Sequence, residues 1–135
     1  MIKGTQRISF TIHGDDRGSL VAVEALRDVP FEIKRLYYIF GTRSDVVRGK
    51  HAHKDLNQVL LSVSGACDLL LDNGEEQETV RLEIPNEGVY INGYIWREML
   101  NFTPDCVLLV MVDRYYDPDD YEFDHGNVRR DMEVK

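Results

Sequence analysis

The sequence predicts an all-β domain, either a sandwich or a barrel, and three observations predict it. The chain has 135 residues, 43% of them hydrophobic, which is enough for one domain with one core. Short β-rich segments recur at roughly 8 to 12 residue spacing between turn residues, as in sandwiches and barrels. Because no repeat, low-complexity tract or Gly/Ser linker interrupts the chain, we predict a single domain over residues 1–135.

Nine segments have the composition of strands, and one turn between them is well specified. Asn73-Gly74 follows one apolar segment and precedes another that begins near Gln77. Asn-Gly favours the tight turn of a hairpin. The predicted strands are residues 7–12, 19–24, 32–40, 57–64, 66–71, 79–84, 89–95, 98–102 and 106–112.

The segment Asp117-Pro118-Asp119-Asp120 resembles the start of a helix. Aspartate is a preferred N-cap, proline is favoured at the first helical position, and further acids suit the first turn. We therefore predict a short helix or turn near the C-terminus.

Charge and cysteine usage restrict the partners and the location. Lys and Arg total 16 and Asp and Glu 24, a net charge of -8. Residues 113–135 hold eight of the acids against four bases, which argues against a nucleic-acid partner.

No apolar run is long enough for a signal peptide or a membrane span. Cys67 and Cys106 lack CxxC spacing, so we expect buried free thiols in a cytoplasmic protein.

The densest group of chemically reactive residues is Arg48-Gly49-Lys50-His51-Ala52-His53-Lys54. On a strand, the side chains of His51 and His53 project from the same face, with their backbones roughly 6.5 Å apart. The cluster is then either a polar strand end with solvated charges or a pair of imidazoles in one pocket. Imidazole titrates near neutrality, so a pair in a pocket is suited to proton transfer.

The cluster resembles the first motif of the cupin barrels, in which a glycine precedes HxH and a second glycine follows, here Gly65. Two of the four metal-binding positions of that family differ in this chain. Gln58 stands where metal-binding cupins have a carboxylate, and Ile91 stands where the second motif has a histidine. Two imidazoles and a neutral amide form a weak site for a first-row metal. We therefore predict no metal and no cofactor.

Over residues 16–121 the chain resembles the sugar nucleotide 3,4-ketoisomerases, which are metal-free cupins. That family converts dTDP-4-keto-6-deoxyglucose into a dTDP-3-keto-6-deoxyhexose ahead of transamination. The resemblance implies a cupin jelly-roll barrel, this substrate, a homodimer, and a place in dTDP-3-amino-3,6-dideoxysugar biosynthesis for lipopolysaccharide O-antigen. The blocks that carry it are DRGSL at 16–20, PFEIKRLYYIF at 30–40, RGKHAHK at 48–54, QVL at 58–60, VYI at 89–91, WREM at 96–99, VLLV at 107–110 and YYD at 115–117.

Moving a ketone from C4 to C3 requires a base for the C3 proton and support for the negative oxygen of an enediolate. We assign the base to His51, and we expect His53 to orient it or to move a proton between the oxygens. Tyr37, Gln58 and Arg97 are the predicted oxygen ligands. One of Tyr37 and its neighbour Tyr38 should instead pack in the core, because adjacent strand residues face opposite ways.

The remaining site predictions concern substrate binding. Arg17, Arg48 and Lys54 are predicted to bind the pyrophosphate. Arg17 and Arg48 are preferred, because guanidinium groups bind phosphate with paired hydrogen bonds, and a plain surface charge is the alternative for either. Lys54 belongs to the local supply of positive charge. Trp96 is predicted to stack on the thymine or cover the sugar, with burial in the core as the alternative. His13 and His125, which lack companions, are predicted to be surface residues.

Three other functions fit the same residues less well. A metal-dependent cupin enzyme would contain iron, zinc or manganese, which elemental analysis detects. A noncatalytic sugar-nucleotide-binding barrel would need the basic cluster but not both histidines. A deoxysugar epimerase, also a cupin, would invert ring carbons without moving the ketone.

Overall fold

The body of the molecule is two five-stranded antiparallel sheets, seen here in a computed structural model. The structure describes residues 1–134, with side chains as far as residue 130. One sheet has the order β1-β9-β6-β11-β4 and the other the order β12-β5-β10-β7-β8, while β2 and β3 form a separate hairpin. The strands are Thr5–Ser9, Ile12–Asp15, Gly18–Val21, Arg35–Phe40, Arg48–His53, Asn57–Ser64, Cys67–Asp72, Gln77–Leu82, Glu87–Asn92, Trp96–Leu100, Val107–Val112 and Tyr121–Glu122, numbered β1 to β12.

The main core lies between the two sheets. On β7, alternate residues Cys67, Leu69 and Leu71 are fully buried, and on β11 Leu108 and Val110 are likewise. This period of two directs one face of each strand inward. All of these residues belong to one apolar cluster, so the all-β barrel predicted from the sequence is confirmed. Its two facing sheets match the jelly-roll that the cupin resemblance implies.

Both sheets are also covered on their outer faces. Phe10, Val29 and Phe31 from the N-terminal segments pack on Val59 and Met111 of the first sheet. On the second sheet, a helix, α1 at His125–Val134, packs Val128 against Ala52 and Trp96. Cys67 and Cys106 are free and buried, as predicted.

The histidine-bearing strand β5 was not among the nine predicted strands, and its local geometry explains why. Gly49 and Lys50 have φ of 81° and 54°, and the register with β10 shifts there, so that Arg97 pairs with His51 but Glu98 pairs with Gly49. This is a β-bulge, which places an extra residue in one strand. A Cβ on Gly49 would lie 2.9 Å from Sδ of Met99. The polar, bulged strand therefore requires this glycine.

Several predicted boundaries move because buried residues interrupt the strands. The predicted strand 7–12 is divided between β1 and β2 by Phe10, which turns into the second cluster. The predicted strand 32–40 begins only at Arg35. The chain before it is drawn into the second apolar cluster, where Phe31 is buried and Ile33 packs against it. The predicted hairpin is confirmed, and β8 begins at Gln77. Its turn is held by Asn73, whose Oδ1 accepts the N–H groups of Glu75 and Glu76.

The chain end carries one predicted element and one that was missed. Asp117 caps a 3₁₀ helix at Pro118–Asp120, and its side chain accepts the N–H of Asp119, as predicted. Helix α1 was not predicted. Within residues 1–134, no helix is long and apolar enough to cross a membrane.

Candidate active site

His51 and His53 meet edge to face on β5. Their Nε2 atoms lie 3.1 Å apart and their ring centroids 4.7 Å apart, with an interplanar angle of 84°. A hydrogen bond between two ring nitrogens requires a proton on one and a lone pair on the other. The HxH spacing therefore brings both imidazoles into one hydrogen-bonded pair.

A carboxylate fixes the orientation of this pair. Nδ1 of His53 lies 2.8 Å from Oδ2 of Asp120, and Oδ1 of Asp120 accepts the backbone N–H of Asp55 at 2.8 Å. With Asp120 ionised, His53 donates its Nδ1 proton to it and keeps a lone pair on Nε2. His51 then donates its Nε2 proton to His53. The three residues form a relay in which each group orients the next.

Burial keeps both imidazoles neutral at neutral pH. The pKa of His51 is lowered from 6.5 to about 4, mainly by burial and further by the charge of Arg97, while the Gly49 carbonyl opposes the change. Burial also lowers the pKa of His53, and the charges of Arg97, His51 and Arg35 lower it further. A neutral imidazole can accept a proton, so the pair is competent as a base at neutral pH.

A buried cation lies beside the histidines. The side chain of Arg97 is only 1% exposed, and its Nε and Nη2 donate to the carbonyl oxygen of Ile95 at 3.2 and 2.8 Å. Its Nη1 donates to Oε1 of Gln58. Burial lowers the pKa of Arg97 to about 10, so it keeps its charge at neutral pH. A guanidinium has five N–H groups, and these three bonds leave two for a ligand.

Tyr37 completes the polar wall. Its hydroxyl lies 3.5 Å from Nε2 of Gln58, a long contact. Burial, together with Tyr121, raises the pKa of Tyr37, so its phenol stays protonated and can donate. The neighbouring Tyr38 is 58% exposed on the opposite face of β4. The two tyrosines face opposite ways, as expected, with Tyr37 on the inner face, but Tyr38 is exposed and does not pack in the core.

Tyr37 and His51 line a cavity of about 360 Å³, whereas the buried side chains of His53 and Arg97 lie behind its wall. Tyr121 forms part of its wall, with its ring centroid 4.9 Å from that of His51. Two wider surface depressions, of about 750 and 810 Å³, lie beside Tyr115 and along the β2–β3 hairpin, and neither contains His51 or His53. The reactive groups therefore identify the smaller cavity as the candidate site. Its lining residues are Arg35, Tyr37, Ile39, Arg48, Gly49, His51, Met99 and Tyr121.

Comparison with known proteins identifies the family. The model of the family described as FdtA (WxcM-like, C-terminal) matches residues 3–132. The chain belongs to the FdtA family. The resemblance to sugar nucleotide 3,4-ketoisomerases predicted from the sequence is thereby confirmed.

Proteins similar to this FdtA-family chain have named activities. The chain is 44% identical over 123 residues to TDP-4-oxo-6-deoxy-alpha-D-glucose-3,4-oxoisomerase of Aneurinibacillus thermoaerophilus, covering 91% of this chain and 88% of that protein. The sugar 3,4-ketoisomerase QdtA of Thermoanaerobacterium thermosaccharolyticum, solved with TDP, superposes with a TM-score of 0.96 at 37% identity over 99% of this chain and 98% of QdtA. The TDP-quinovose 3,4-ketoisomerase WlaRB of Campylobacter jejuni superposes with a TM-score of 0.91 at 43% identity. The match covers 96% of this chain and 99% of WlaRB.

Four further residues of this FdtA-family chain were predicted to bind substrate, and they lie at different distances from the His51 cavity. Arg48 is exposed at the mouth of the cavity. Lys54 lines an adjoining cavity of about 220 Å³. Gln58 is buried against Arg97 and Tyr37 rather than lining the cavity directly. Arg17 lies apart, on the β2–β3 turn, where it is 87% exposed and pairs with Asp15 at 2.6 Å.

The prediction that Trp96 contacts substrate is wrong for this structure, and the alternative of burial holds. Trp96 is 4% exposed, its ring stacks on His125 at 4.5 Å and 2°, and its Nε1 donates to Oε2 of Glu98 at 2.8 Å. Since neighbouring strand residues face opposite ways, Arg97 takes the inner face of β10 and Trp96 the outer one.

The prediction that His125 is a free surface residue also fails. Its Nε2 lies 2.7 Å from Oδ2 of Asp72, a fully buried carboxylate that Arg129 also contacts at 2.7 Å. His125 and Arg129 belong to α1, which packs against the second sheet beside Trp96. This group therefore attaches the helix to the sheet, outside the candidate site.

Sequence analysis missed Asp120, Tyr121 and Arg35. Asp120 was interpreted as a first-turn acid of a helix, and it does end the 3₁₀ helix, but its side chain turns back to His53. Tyr121 pairs with His53 across β12 and β5. The one available signal was the run of acids and aromatics at residues 115–124, which no local pattern connects to β5.

The described residues contain no group of three or more His, Cys, Asp or Glu placed to bind a metal ion. His53 bonds to Asp120, and the charge of Arg97, which bonds to Gln58, acts on both histidines. Of these, the amide is a weak metal ligand and the guanidinium cannot be one. Metal-independent chemistry stays a prediction.

Proposed function

We propose that this chain is an isomerase that converts TDP-4-keto-6-deoxyglucose into a TDP-3-keto-6-deoxyhexose. The relatives named above are 3,4-ketoisomerases, and a QdtA variant with a histidine replaced by asparagine has been solved with TDP-4-keto-6-deoxyglucose, with a TM-score of 0.96 to this chain at 36% identity. The observation that carries the proposal is the neutral His51–His53 pair beside the buried charge of Arg97.

His51 is the base in this proposal. It takes the proton from C3, and the electron pair of the C–H bond forms the C3–C4 double bond as the C4 oxygen becomes negative. His51 becomes an imidazolium one hydrogen bond from His53 and two from Asp120. The negative carboxylate stabilises that charge.

The second half of the reaction restores a carbonyl at C3. The hydroxyl proton on O3 moves to the neighbouring O4, and the protonated His51 returns a proton to C4. Both ring nitrogens of His53 are bonded, to Asp120 and to His51, so in this proposal His53 orients the base. One C–H bond breaks at C3 and one forms at C4, so no oxidant or reductant is needed. His51 acts as base and then as acid, which an imidazole does readily near neutrality.

Arg97 and Tyr37 are the proposed ligands of the negative oxygen. Arg97 has two N–H groups beyond those bonded to Ile95 and Gln58, and the Tyr37 phenol keeps its proton because burial raises its pKa. Gln58 bridges the two and holds them in place. Preorganised donors in a buried site stabilise a developing oxyanion more strongly than water does.

The proposed phosphate ligands are Arg48, Lys54 and Arg17, and Arg17 requires a second copy of the chain. The β2–β3 hairpin pairs with no other strand among the described residues, and it exposes the apolar side chains of Ile12 (48%) and Leu20 (59%). A second subunit would cover these residues and could bring Arg17 to a cavity. We propose a homodimer, which sedimentation velocity tests.

We further propose that the enzyme works in the cytoplasm, consistent with its two free, buried cysteines, and that its product is an intermediate toward a 3-amino-3,6-dideoxysugar. A 3-keto sugar is the substrate that an aminotransferase needs to place nitrogen on C3. The ketone position therefore defines the class of the next enzyme.

Proton NMR of TDP-4-keto-6-deoxyglucose mixed with the protein tests the proposed function. The proposal predicts that the C3 proton signal disappears and a new C4 proton signal appears, with the ketone at C3. Epimerised product with the ketone still at C4, or unchanged substrate, would contradict it. The same spectrum gives the gluco or galacto configuration at C4 from the coupling constants.

A further inference from the structure

Arg35 differs from most arginines of this chain in having no carboxylate partner among the described residues. Seven others form ion pairs with Asp or Glu: Arg17, Arg27, Arg43, Arg81, Arg114, Arg129 and Arg130. Nε of Arg35 is buried and has no hydrogen-bond partner. A buried donor on a charged group without an acceptor is costly, so this N–H marks a position suited to an anionic acceptor.

Two aromatic rings fix the position of the Arg35 guanidinium. Its Cζ lies 5.4 Å from the ring centroid of Tyr37 and 5.7 Å from that of Tyr116. Aromatic rings hold a guanidinium through cation–π contacts without neutralising it. On β4, Arg35 shares the inner face with Tyr37, whereas Leu36 is 52% exposed on the other face. The positive charge of Arg35 is thus held at the cavity wall, where it can bind an anionic ligand.

The charges of the two adjoining cavities differ. The cavity that contains His51 is lined by Arg35 and Arg48 and, within the described part of the chain, by no carboxylate. Arg35 also borders the adjoining cavity, whose lining includes four aspartates: Asp55, Asp117, Asp119 and Asp120. The second cavity also contains Lys54 and Arg114, so its four aspartates face three cations. The charged side chains that line the first cavity are all positive, so the first cavity attracts an anion more strongly than the second does.

We propose that Arg35, together with Arg48, binds the diphosphate of the nucleoside diphosphate sugar within the His51 cavity. This inference rests on the proposed function and adds a residue that the sequence analysis did not select. The planar guanidinium can donate two parallel hydrogen bonds to phosphate oxygens. Anchoring the diphosphate at this wall places the attached sugar next to His51, which lines the same cavity.

The test compares a ligand with the diphosphate to one without it. Binding of TDP is measured by titration calorimetry, and binding of thymidine by ligand-observed NMR, for the wild type, Arg35→Gln and Arg35→Lys. The matched control is Arg27→Gln, whose side chain is 77% exposed and paired with Glu24. Circular dichroism checks that each variant folds.

Loss of a charge-assisted contact predicts that Arg35→Gln binds TDP roughly 10 to 100-fold more weakly. Thymidine affinity should stay within twofold, and Arg35→Lys should recover part of the loss. TDP affinity unchanged in Arg35→Gln, or TDP and thymidine weakened equally, would overturn the inference while leaving the isomerase intact. A wild type that neither binds TDP nor converts the keto sugar would instead refute the proposed function, and this inference with it.

Discussion

The Nδ1 atom of His53 lies 2.8 Å from Oδ2 of Asp120, although 67 residues separate them in the sequence. The contact is shielded from solvent, with side-chain exposures of 1% and 12%. Because Nε2 of His53 lies 3.1 Å from Nε2 of His51, one carboxylate orients both rings. In the proposed reaction Asp120 is therefore a positioning residue, and it also stabilises the charge that His51 acquires.

Replacing Asp120 by Asn should lower kcat by roughly 10 to 100-fold, the usual effect of removing the partner that orients a catalytic or metal-binding histidine. KM should change little, because Asp120 does not line the His51 cavity. Asp119→Asn is the matched control, since Asp119 is exposed and precedes Asp120 directly.

The pH profile separates this role from a purely structural one. Without the negative charge the imidazolium is less stable, so the acid limb of kcat/KM should move to lower pH in Asp120→Asn. A variant that loses activity with an unshifted limb, or one with wild-type kcat, would contradict the positioning role.

The wild-type pH profile follows from the lowered pKa of His51, about 4. A base acts in its neutral form, which predominates above its pKa, so kcat/KM should stay level from pH 8 down to about 5 and fall only below that. An acid limb near 6.5 would contradict a buried neutral base. Circular dichroism at each pH separates titration from unfolding.

The free energy of unfolding should also depend on pH, and it should begin to fall at a higher pH than kcat/KM does. The folded-state pKa of His51 lies below the unfolded value of 6.5, so the unfolded chain binds more protons as the pH falls below 6.5. The stabilising contribution of the neutral histidine is thus complete above pH 6.5 and is lost as the pH falls toward 4. Urea unfolding at several pH values measures this.

Tyr37 and Tyr38 form a natural matched pair on β4. Tyr37→Phe removes a proposed donor to the negative oxygen and should reduce kcat by about 10 to 100-fold. Tyr38→Phe should leave kcat within twofold, because Tyr38 is 58% exposed on the outer face. Steady-state kinetics on both variants is the measurement, and equal effects would remove Tyr37 from the oxyanion site.

Trp96 should affect stability rather than substrate binding. Trp96→Phe loses the bond to Glu98 and part of the stacking on His125, so the free energy of unfolding should fall by roughly 1–2 kcal/mol. KM for the keto sugar should remain within twofold. Urea unfolding and steady-state kinetics report the two effects separately, and a large rise in KM with unchanged stability would restore Trp96 to the substrate site.

Much of the fold could be predicted because its strands are apolar and bounded by turn residues. Strand β11 and the β7–β8 hairpin are examples, since local alternation and Asn73-Gly74 specify them. Strand β5 could not be predicted in the same way, because its residues are polar and it contains a bulge at Gly49. Its pairing with β10 depends on a strand more than 40 residues away.

In the candidate site too, the residues specified by local sequence could be predicted, and those brought in by long-range contacts could not. The spacing of His51 and His53 is local, and it correctly brings two imidazoles together. Asp120 belongs to the site through a contact across the fold that no local pattern contains. Trp96 and Arg97 are neighbours on β10 and therefore face opposite ways, but alternation does not say which of the two faces inward. The packing of α1 on the outer face decides it.

The role of His51 as the base is the central claim, and a rate measurement on one variant tests it most directly. Proton NMR follows conversion of TDP-4-keto-6-deoxyglucose by the wild type, His51→Asn and the control His13→Asn, each shown to be folded by circular dichroism. The account predicts that His13→Asn turns over at the wild-type rate and that His51→Asn is slower by about 10² to 10⁴-fold. A folded His51→Asn protein with more than a tenth of wild-type turnover would contradict it.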